Sequence, residues 1–230
     1  MDKQKLVVLS GAGVSAESGL KTFRDSNGLW AGHNIEDVAT PRAWKKNPQL
    51  VLEFYNYRRN EVRCAQPNSA HIGIKELEEW FDVTIITQNI DDLHERAGSK
   101  NVLHLHGEIF KMRSELNEHL IYEIKNDISI GDLAEDGHQL RPYIVWFEEP
   151  VPLIEKAIQI ATTADIFVVI GTSLVVYPAA GLVQYIPPYS RKFVIDTSIP
   201  EHLFTKSFIS IEQPASQGII ALKEALLASI

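Results

Sequence analysis

The strongest constraint on this chain lies near its start. A short apolar run, Leu6-Val7-Val8-Leu9, passes through Ser10 straight into Gly11-Ala12-Gly13-Val14-Ser15-Ala16. Gly11, Gly13 and Ala16 fit the spacing G-x-G-x-x-G/A behind a strand. In that pattern the first glycine permits a tight turn, the second lets backbone approach a pyrophosphate, and the small third residue permits close packing. Backbone N–H groups at such a turn can hold phosphate oxygens. The motif is short, and an ordinary glycine turn reads the same way.

The rest of the chain repeats the strand signal. Val83–Ile86, Val102–Leu105, Tyr143–Phe147, Ile166–Ile170, Phe193–Ile195 and Phe208–Ile211 are brief and almost continuously apolar. Strands of that kind are covered on both faces, as in a parallel α/β sheet. Ala70–Trp80, Pro152–Ala164 and Gly218–Leu227 read as helices between them, with Pro67-Asn68-Ser69 as a start signal for the first. The expected fold is α/β: a Rossmann-like parallel sheet with helices on both faces. Two stretches break the alternation. Gly28–Arg63 has no convincing strand and looks helical, and Lys111–Leu140 is polar and poorly periodic. Both are long for loops. They are assigned to a smaller inserted module expected to be helical, residues 28–67 and 111–140. The larger lobe then takes 1–27, 68–110 and 141–230.

Composition narrows the partners. With 230 residues, the chain has room for one large domain carrying a smaller module. A formal net charge of -8 argues against broad binding to a phosphate backbone, so nucleic acid is not an expected partner. Cys64 is the single cysteine, so no intrachain disulfide can form and a reducing, cytoplasmic setting is expected. The apolar run near the start is too short for a membrane span or a signal-peptide core, and no membrane association is expected.

A hydride-transferring dinucleotide enzyme needs an acidic residue about 20 positions after the glycine turn, at the end of a second strand. Glu36 and Asp37 lie near that distance, but no strand leads to them. Phe23 and Arg24 follow the turn instead. They suit a site that encloses the far end of a dinucleotide, or a core aromatic beside a surface arginine.

Gly11–Trp30 resembles the opening signature of the sirtuins, the NAD-dependent protein deacylases. Further blocks follow in that family's order: Thr87-Gln88-Asn89-Ile90-Asp91, then Leu93–Gly98, His104–Glu108, Leu140–Phe147, Gly171–Ala180 and Pro214–Gln217. The resemblance spans nearly the whole chain. It implies that NAD is consumed as co-substrate and that the partners are proteins or peptides carrying acylated lysines. Nicotinamide leaves, the acyl oxygen attacks the ribose carbon, a histidine base activates a ribose hydroxyl, and O-acyl-ADP-ribose results.

The resemblance also implies roles. His106 matches the catalytic base and Asn89 stands beside it in the catalytic set. Gly11, Ala12, Gly13, Ser15, Glu17, Phe23, Arg24, Gln88, Asn89, Ile90 and Asp91 match the NAD-binding set. Gly171, Thr172, Ser173, Thr197, Ser198 and Ala215 complete it. Val145, Phe147 and Glu148 match the strand that pairs with substrate. His104 and His106 are two residues apart and would face one side of a strand, so spacing alone does not choose between them. His71 and His94 are expected to be structural.

Tyr55 and Arg58 share a helix face. They resemble the Tyr-x-x-Arg pair of the sirtuins that remove succinyl and malonyl groups. A guanidinium holds a carboxylate through paired hydrogen bonds, and a phenol adds another. The pair also reads as a core tyrosine beside a solvated arginine. Three departures stand out. Lys111–Gln139 has no cysteine, so the zinc that most of the family carries is not expected, and Leu116, Leu120, Ile121, Tyr122 and Ile124 must pack in its place. Glu148-Glu149 stands where Gly-Glu is usual. Asp196-Thr197-Ser198 stands where an asparagine is common. An NAD glycohydrolase or ADP-ribosyltransferase on the same scaffold, or a non-catalytic NAD-binding module, are the other readings.

Overall fold

The structure is a computed structural model that describes residues 3–21, 29–30, 33–199 and 208–228. A six-stranded parallel sheet forms its centre. The strands are β1 (Lys5–Ser10), β4 (Asp82–Thr87), β5 (Val102–His104), β9 (Ile166–Ile170), β10 (Arg191–Ile195) and β11 (Ile209–Ile211), ordered β11-β10-β9-β1-β4-β5. Successive residues of one strand enter different cores. Leu6 and Val8 face α5 (Ser69–Glu76) and α8 (Ala215–Leu227). Val7 and Leu9 face α7 (Ile154–Ala161) and a 3-10 turn at Ala179–Gln184. Both faces being covered explains why the strands read as continuous apolar runs.

Remaining short elements complete the chain. They are α1 (Gly13–Ala16), the two-residue strands β2 (Leu29–Trp30) and β3 (His33–Asn34), α2 (Ile35–Val38), α3 (Pro41–Lys46) and α6 (Leu93–Arg96). Glu36 and Asp37 fall in α2, outside the parallel sheet.

One strand expected in the parallel sheet lies elsewhere. The sequence pattern predicts a buried parallel strand at Tyr143–Phe147. The strand is Leu140–Ile144 (β8), and it pairs antiparallel with β6 (Gly107–Ser114), which also pairs with β7 (Ile121–Glu123). A brief apolar run cannot distinguish a strand buried in a parallel sheet from one packed under helices. Here β8 packs its residues into a separate core with α4 (Pro48–Cys64). Lys111–Leu140 thus holds the end of β6, β7 and the start of β8, with turns and bends between them. Ile124 is buried there with Ile128, Ala134 and Leu140, and Leu120 and Tyr122 pack against them. Leu116 and Ile121 do not: both are exposed.

Polar side chains of α4 fasten this smaller sheet. Asn56 donates to the Ile128 carbonyl (2.9 Å) and accepts from the Ile128 N–H (3.1 Å). Arg59, fully buried, donates to the Ile109 carbonyl at 2.9 Å and to Asn56 Oδ1 at 2.7 Å. Burial pulls the Arg59 guanidinium down to about 10, which still leaves it charged at neutral pH.

The two glycine turns at the sheet's carboxyl edge touch each other. Gly13 N–H donates to the Gly171 carbonyl at 2.8 Å. A Cβ on Gly13 would lie 2.7 Å from Gly171 Cα, and one on Gly171, where φ is +62°, would lie 2.3 Å from Val14 N. Backbone rather than a flexible side chain blocks both. Gly13→Ala should therefore cost about 1–3 kcal/mol, the usual range for overpacking. A thermal melt should show a midpoint lowered by several degrees. An unchanged midpoint would mean that the two turns part without cost.

Candidate active site

Beta1 is flanked by β4 on one side and β9 on the other, so the chain reverses its direction of sheet growth between β1 and β9. Ligands in open α/β sheets bind outside the carboxyl ends of the strands at such a point. A cleft of about 660 Å³ opens there. It is lined by Gly11, Ala12, Gly13, Ser15 and Glu17 after β1, by Gln88, Asn89, Ile90 and Asp91 after β4, and by Gly171, Thr172 and Ser173 after β9. Thr197 and Ala215 close the same end. His106, Val145, Phe147, Glu148, Tyr55 and Arg58 line the other walls. Ser198 does not reach the cleft; its N–H donates to Asp196 Oδ1 at 3.0 Å. Phe23 and Arg24 lie outside the described residues.

Gly13 lines the cleft, and the position that a Cβ would take there is filled by the backbone of the facing turn at Gly171. Thr172 then accepts a hydrogen bond from Gln88 Nε2 at 3.0 Å, which joins the loops after β4 and β9. Glu17 accepts from the Ser216 N–H (2.9 Å) and the Ser216 hydroxyl (2.6 Å), which ties the first turn to the start of α8.

A buried polar network underlies the cleft floor. Asn68 N–H donates to His71 Nδ1 at 3.3 Å, so the His71 proton sits on Nε2, facing Ser15 Oγ at 3.4 Å. Ser15 Oγ also accepts from Asn89 Nδ2 (3.2 Å) and donates to Asp91 Oδ2 (3.0 Å). Asp91 accepts from the Leu93 N–H as well, yet burial pushes its carboxyl above the usual range. His94 meets Ser10 Oγ at 2.9 Å and packs edge-on against His71. Desolvation holds both histidines neutral, His71 down to about 4 and His94 well below the usual value.

The two histidines that spacing left open are now distinct. His104 ends β5 and bonds the Asn89 carbonyl and Glu95, while His106 occupies the following turn and lines the cleft. His106 Nδ1 lies 2.9 Å from the Gln88 carbonyl, an acceptor only, so the ring proton sits on Nδ1. Nε2 is left with its lone pair. Burial lowers the His106 pKa and the Gln88 carbonyl offsets part of that. The result is a neutral imidazole able to take a proton.

The cleft wall at residues 144–149 is held by a pair that sequence reasoning passed over. Arg141 donates to both oxygens of Glu149, at 2.8 and 3.1 Å, and to the Ile144 carbonyl at 2.9 Å. Its guanidinium lies 3.2 Å over the Trp146 ring. Glu149 in turn accepts from the Trp146 N–H at 2.8 Å. This folds residues 144–149 into a fixed turn, with Val145 N–H bonded to the His106 carbonyl at 2.9 Å. Glu148 sits at φ +74° and pairs with Arg42 of α3.

Arg58 is 5 % exposed and Tyr55 fully buried, both facing the cleft. The solvated-arginine reading therefore does not hold. Arg58 Nη1 donates to Glu61 Oε2 at 2.7 Å. Val62, four residues after Arg58, lines the same wall. Helical spacing from Tyr55 and Arg58 was the available signal for it. Among the described residues no group of three or more His, Cys, Asp and Glu is placed to hold a metal ion.

Fold and cleft together define an α/β protein with a dinucleotide-type site at a topological switch point. Comparison with known proteins is more specific. The Sir2 family model matches residues 11–178. An NAD-dependent protein deacylase of Helicobacter pylori is 55% identical over 193 residues, 84% of this chain and 84% of that protein. One from Bacteroides thetaiotaomicron is 49% identical over 230 residues, 97% of this chain and 98% of that protein. A solved Sir2 homologue in complex with NAD superimposes with a TM-score of 0.84 at 36% identity, covering 97% of this chain and 91% of that one. The chain belongs to the Sir2 family.

The neutral histidines give a stability prediction. His71 is held near 4 in the fold and titrates at its ordinary value of 6.5 when unfolded. The unfolded state then binds more protons across that window, so stability is full above about 6.5 and declines as pH falls towards about 4. His71→Gln keeps an amide donor and removes the titration. Urea midpoints measured across this range should fall more steeply for the wild type than for the variant, and parallel curves would refute a neutral buried His71.

Proposed function

We propose that this chain is an NAD-dependent protein-lysine deacylase with a preference for acidic acyl groups. The observation that carries the reading is the placement of His106 and Arg58 on walls of one cleft, behind paired glycine turns. Relatives named NAD-dependent protein deacylase support the activity.

NAD would lie along Gly11–Ser15 and Gly171–Ser173, with Glu17, Thr197 and Ala215 at one end and Gln88–Asp91 at the other. It supplies the ribose that accepts the acyl group. The chain's own residues do the rest. Asn89 and Asp91, held by Ser15, present polar groups fixed before any ligand arrives, which is how positioning lowers a barrier. His106 takes a proton at Nε2 while Nδ1 stays bonded to the Gln88 carbonyl. The 145–148 segment, braced by Arg141 and Glu149, receives the substrate backbone, and Glu148 places a carboxylate at the rim.

Arg58 accounts for the acyl preference. A buried guanidinium needs an anionic partner, and Glu61 supplies one on one side. A succinyl or malonyl carboxylate reaching this wall from the cleft would add another, with the Tyr55 hydroxyl beside it. An acetyl group offers neither contact. The sequence is consistent with a cytoplasmic setting, where NAD and acylated proteins meet.

The test compares acetyl-, succinyl- and malonyl-lysine versions of one peptide, with and without NAD, by mass spectrometry of peptide and nucleotide products. Wild type should remove the acidic groups best. Arg58→Met should lose about 10–100-fold in kcat/KM on them, the scale of one charged hydrogen-bonded contact, with a smaller change on acetyl. His106→Ala should abolish deacylation of all three. Below the ordinary histidine range the wild-type rate should fall as His106 takes up a proton, with its midpoint under 6.5 because the pKa is lowered. NAD cleavage without deacylation of any peptide would replace this reading by a glycohydrolase or ADP-ribosyltransferase.

A further inference from the structure

His104 stands where each ring nitrogen faces an acceptor. Nδ1 lies 2.9 Å from the Asn89 carbonyl oxygen and Nε2 lies 2.7 Å from Glu95 Oε1. A carbonyl oxygen only accepts, and so does an ionised carboxylate. Both contacts are hydrogen bonds at once only if both ring nitrogens carry protons. The proton belongs to the ring and not to Glu95. Burial opposes ionisation of the Glu95 carboxyl, but the His104 hydrogen bond and charge outweigh it and hold the carboxyl below its usual range.

The neighbouring histidine shows the contrast. His106 bonds the Gln88 carbonyl and His104 bonds the next one, that of Asn89. Two histidines thus hold two consecutive carbonyls of the loop that lines the cleft. His106 has no carboxylate on its other nitrogen in the described contacts and is pushed toward the neutral form. His104 has Glu95 and is pushed toward the charged form.

We propose that Glu95 and His104 form a positioning pair, in which an imidazolium clamped by Glu95 fixes the Asn89 backbone and so aims Gln88 and Asn89 into the cleft. The proposal rests on the deacylase reading only for its kinetic consequence. The charged groups around the ring agree with it. Glu95 reaches it from α6 and Glu108 from β6, both favouring the cation, while burial opposes it, and the His104 charge in turn helps to keep His94 neutral. Asp91 lies within electrostatic reach on the same loop. Lys111 is bound to Glu108 at 2.9 Å and also acts on Glu95. The net effect raises the His104 pKa above 6.5.

As pH rises through that raised value, His104 loses a proton and one of its two contacts becomes a lone pair facing an acceptor. The loop loosens, and activity should decline on the alkaline side. Glu95→Gln is isosteric and supplies what the neutral ring lacks. Its amide can donate to Nε2 when the ring is neutral and accept from it when charged. The variant therefore satisfies His104 in both states.

The experiment has two parts on wild type and Glu95→Gln. Long-range 1H–15N NMR should show both His104 ring nitrogens protonated in wild type at pH 6.5, with a titration midpoint above that of a free histidine, and a lower midpoint in the variant. Profiles of kcat and of KM for NAD, measured on one acyl peptide, should show a one-proton alkaline decline in wild type that Glu95→Gln removes, with the acid limb from His106 unmoved. A singly protonated His104 in wild type at that pH overturns the proposal. So does an alkaline decline that stays in place in the variant. If wild type deacylates no peptide, the functional reading fails by itself. NAD affinity across the same pH range, by calorimetry, then decides the pair: loss of affinity at alkaline pH in wild type alone supports it, and parallel affinities overturn it.

Discussion

The contact between the two glycine turns governs the site. Parallel neighbours in a sheet lie about 4.8 Å apart, and chains leaving their carboxyl ends normally diverge as helices take up space. Here the turn after β1 and the turn after β9 stay in backbone contact, Gly13 N–H on the Gly171 carbonyl. A side chain at either position would separate them. Because they remain joined, Thr172 stands within reach of Gln88, and Ser15 within reach of Asn89 and Asp91. Three loops from three strands then form one floor.

That floor is polar and buried, which is costly unless each group finds a partner. Ser15 makes the cost bearable by serving His71, Asn89 and Asp91 through one hydroxyl. It accepts from two and donates to one, which its chemistry allows. The arrangement requires His71 to be neutral with its proton on Nε2, and its burial enforces that form. Protonation states are thus fixed by geometry at His71, His104 and His106, each differently. His71 is neutral on Nε2, His106 neutral on Nδ1 and His104 charged. Sequence spacing treats the last two as equivalent, since the carbonyl and carboxylate partners that separate them come from another loop and another helix.

The legible part of the molecule was what local pattern records. Continuous apolar runs gave the parallel strands, and the G-x-G-x-x-A turn gave the site's location. The Tyr55–Arg58 spacing gave a shared face. What stayed hidden depended on long-range partners. Residues 143–147 carry the same apolar signal as a core strand, yet the strand stops at Ile144, and pairing with β6 puts Tyr143 and Ile144 in the smaller sheet while 145–147 turn along the cleft. Leu116 and Ile121 are apolar in a stretch that needed a core, yet backbone turns anchored on Ser114 and Asn117 leave them outside. The Arg141–Glu149 pair spans eight residues and has no periodic signature. Glu148 shows a left-handed φ that no composition rule predicts, where glycine would be unstrained.

Helix α4 couples these levels. Asn56 and Arg59 fasten it to the smaller sheet through backbone atoms of Ile128 and Ile109, and Tyr55 and Arg58 turn toward the cleft one residue earlier in each case. At 100° per residue the two pairs occupy adjacent faces of one helix. The side chains that fasten the cysteine-free 111–139 stretch to α4 therefore also set where the cleft-facing pair stands. Any change that shifts β6 or the 125–128 segment is transmitted to Arg58 through a single helix turn. Since Arg58 already shares a hydrogen bond with Glu61 on the same helix, its position against an incoming carboxylate is set by α4 as a rigid body rather than by its own long side chain.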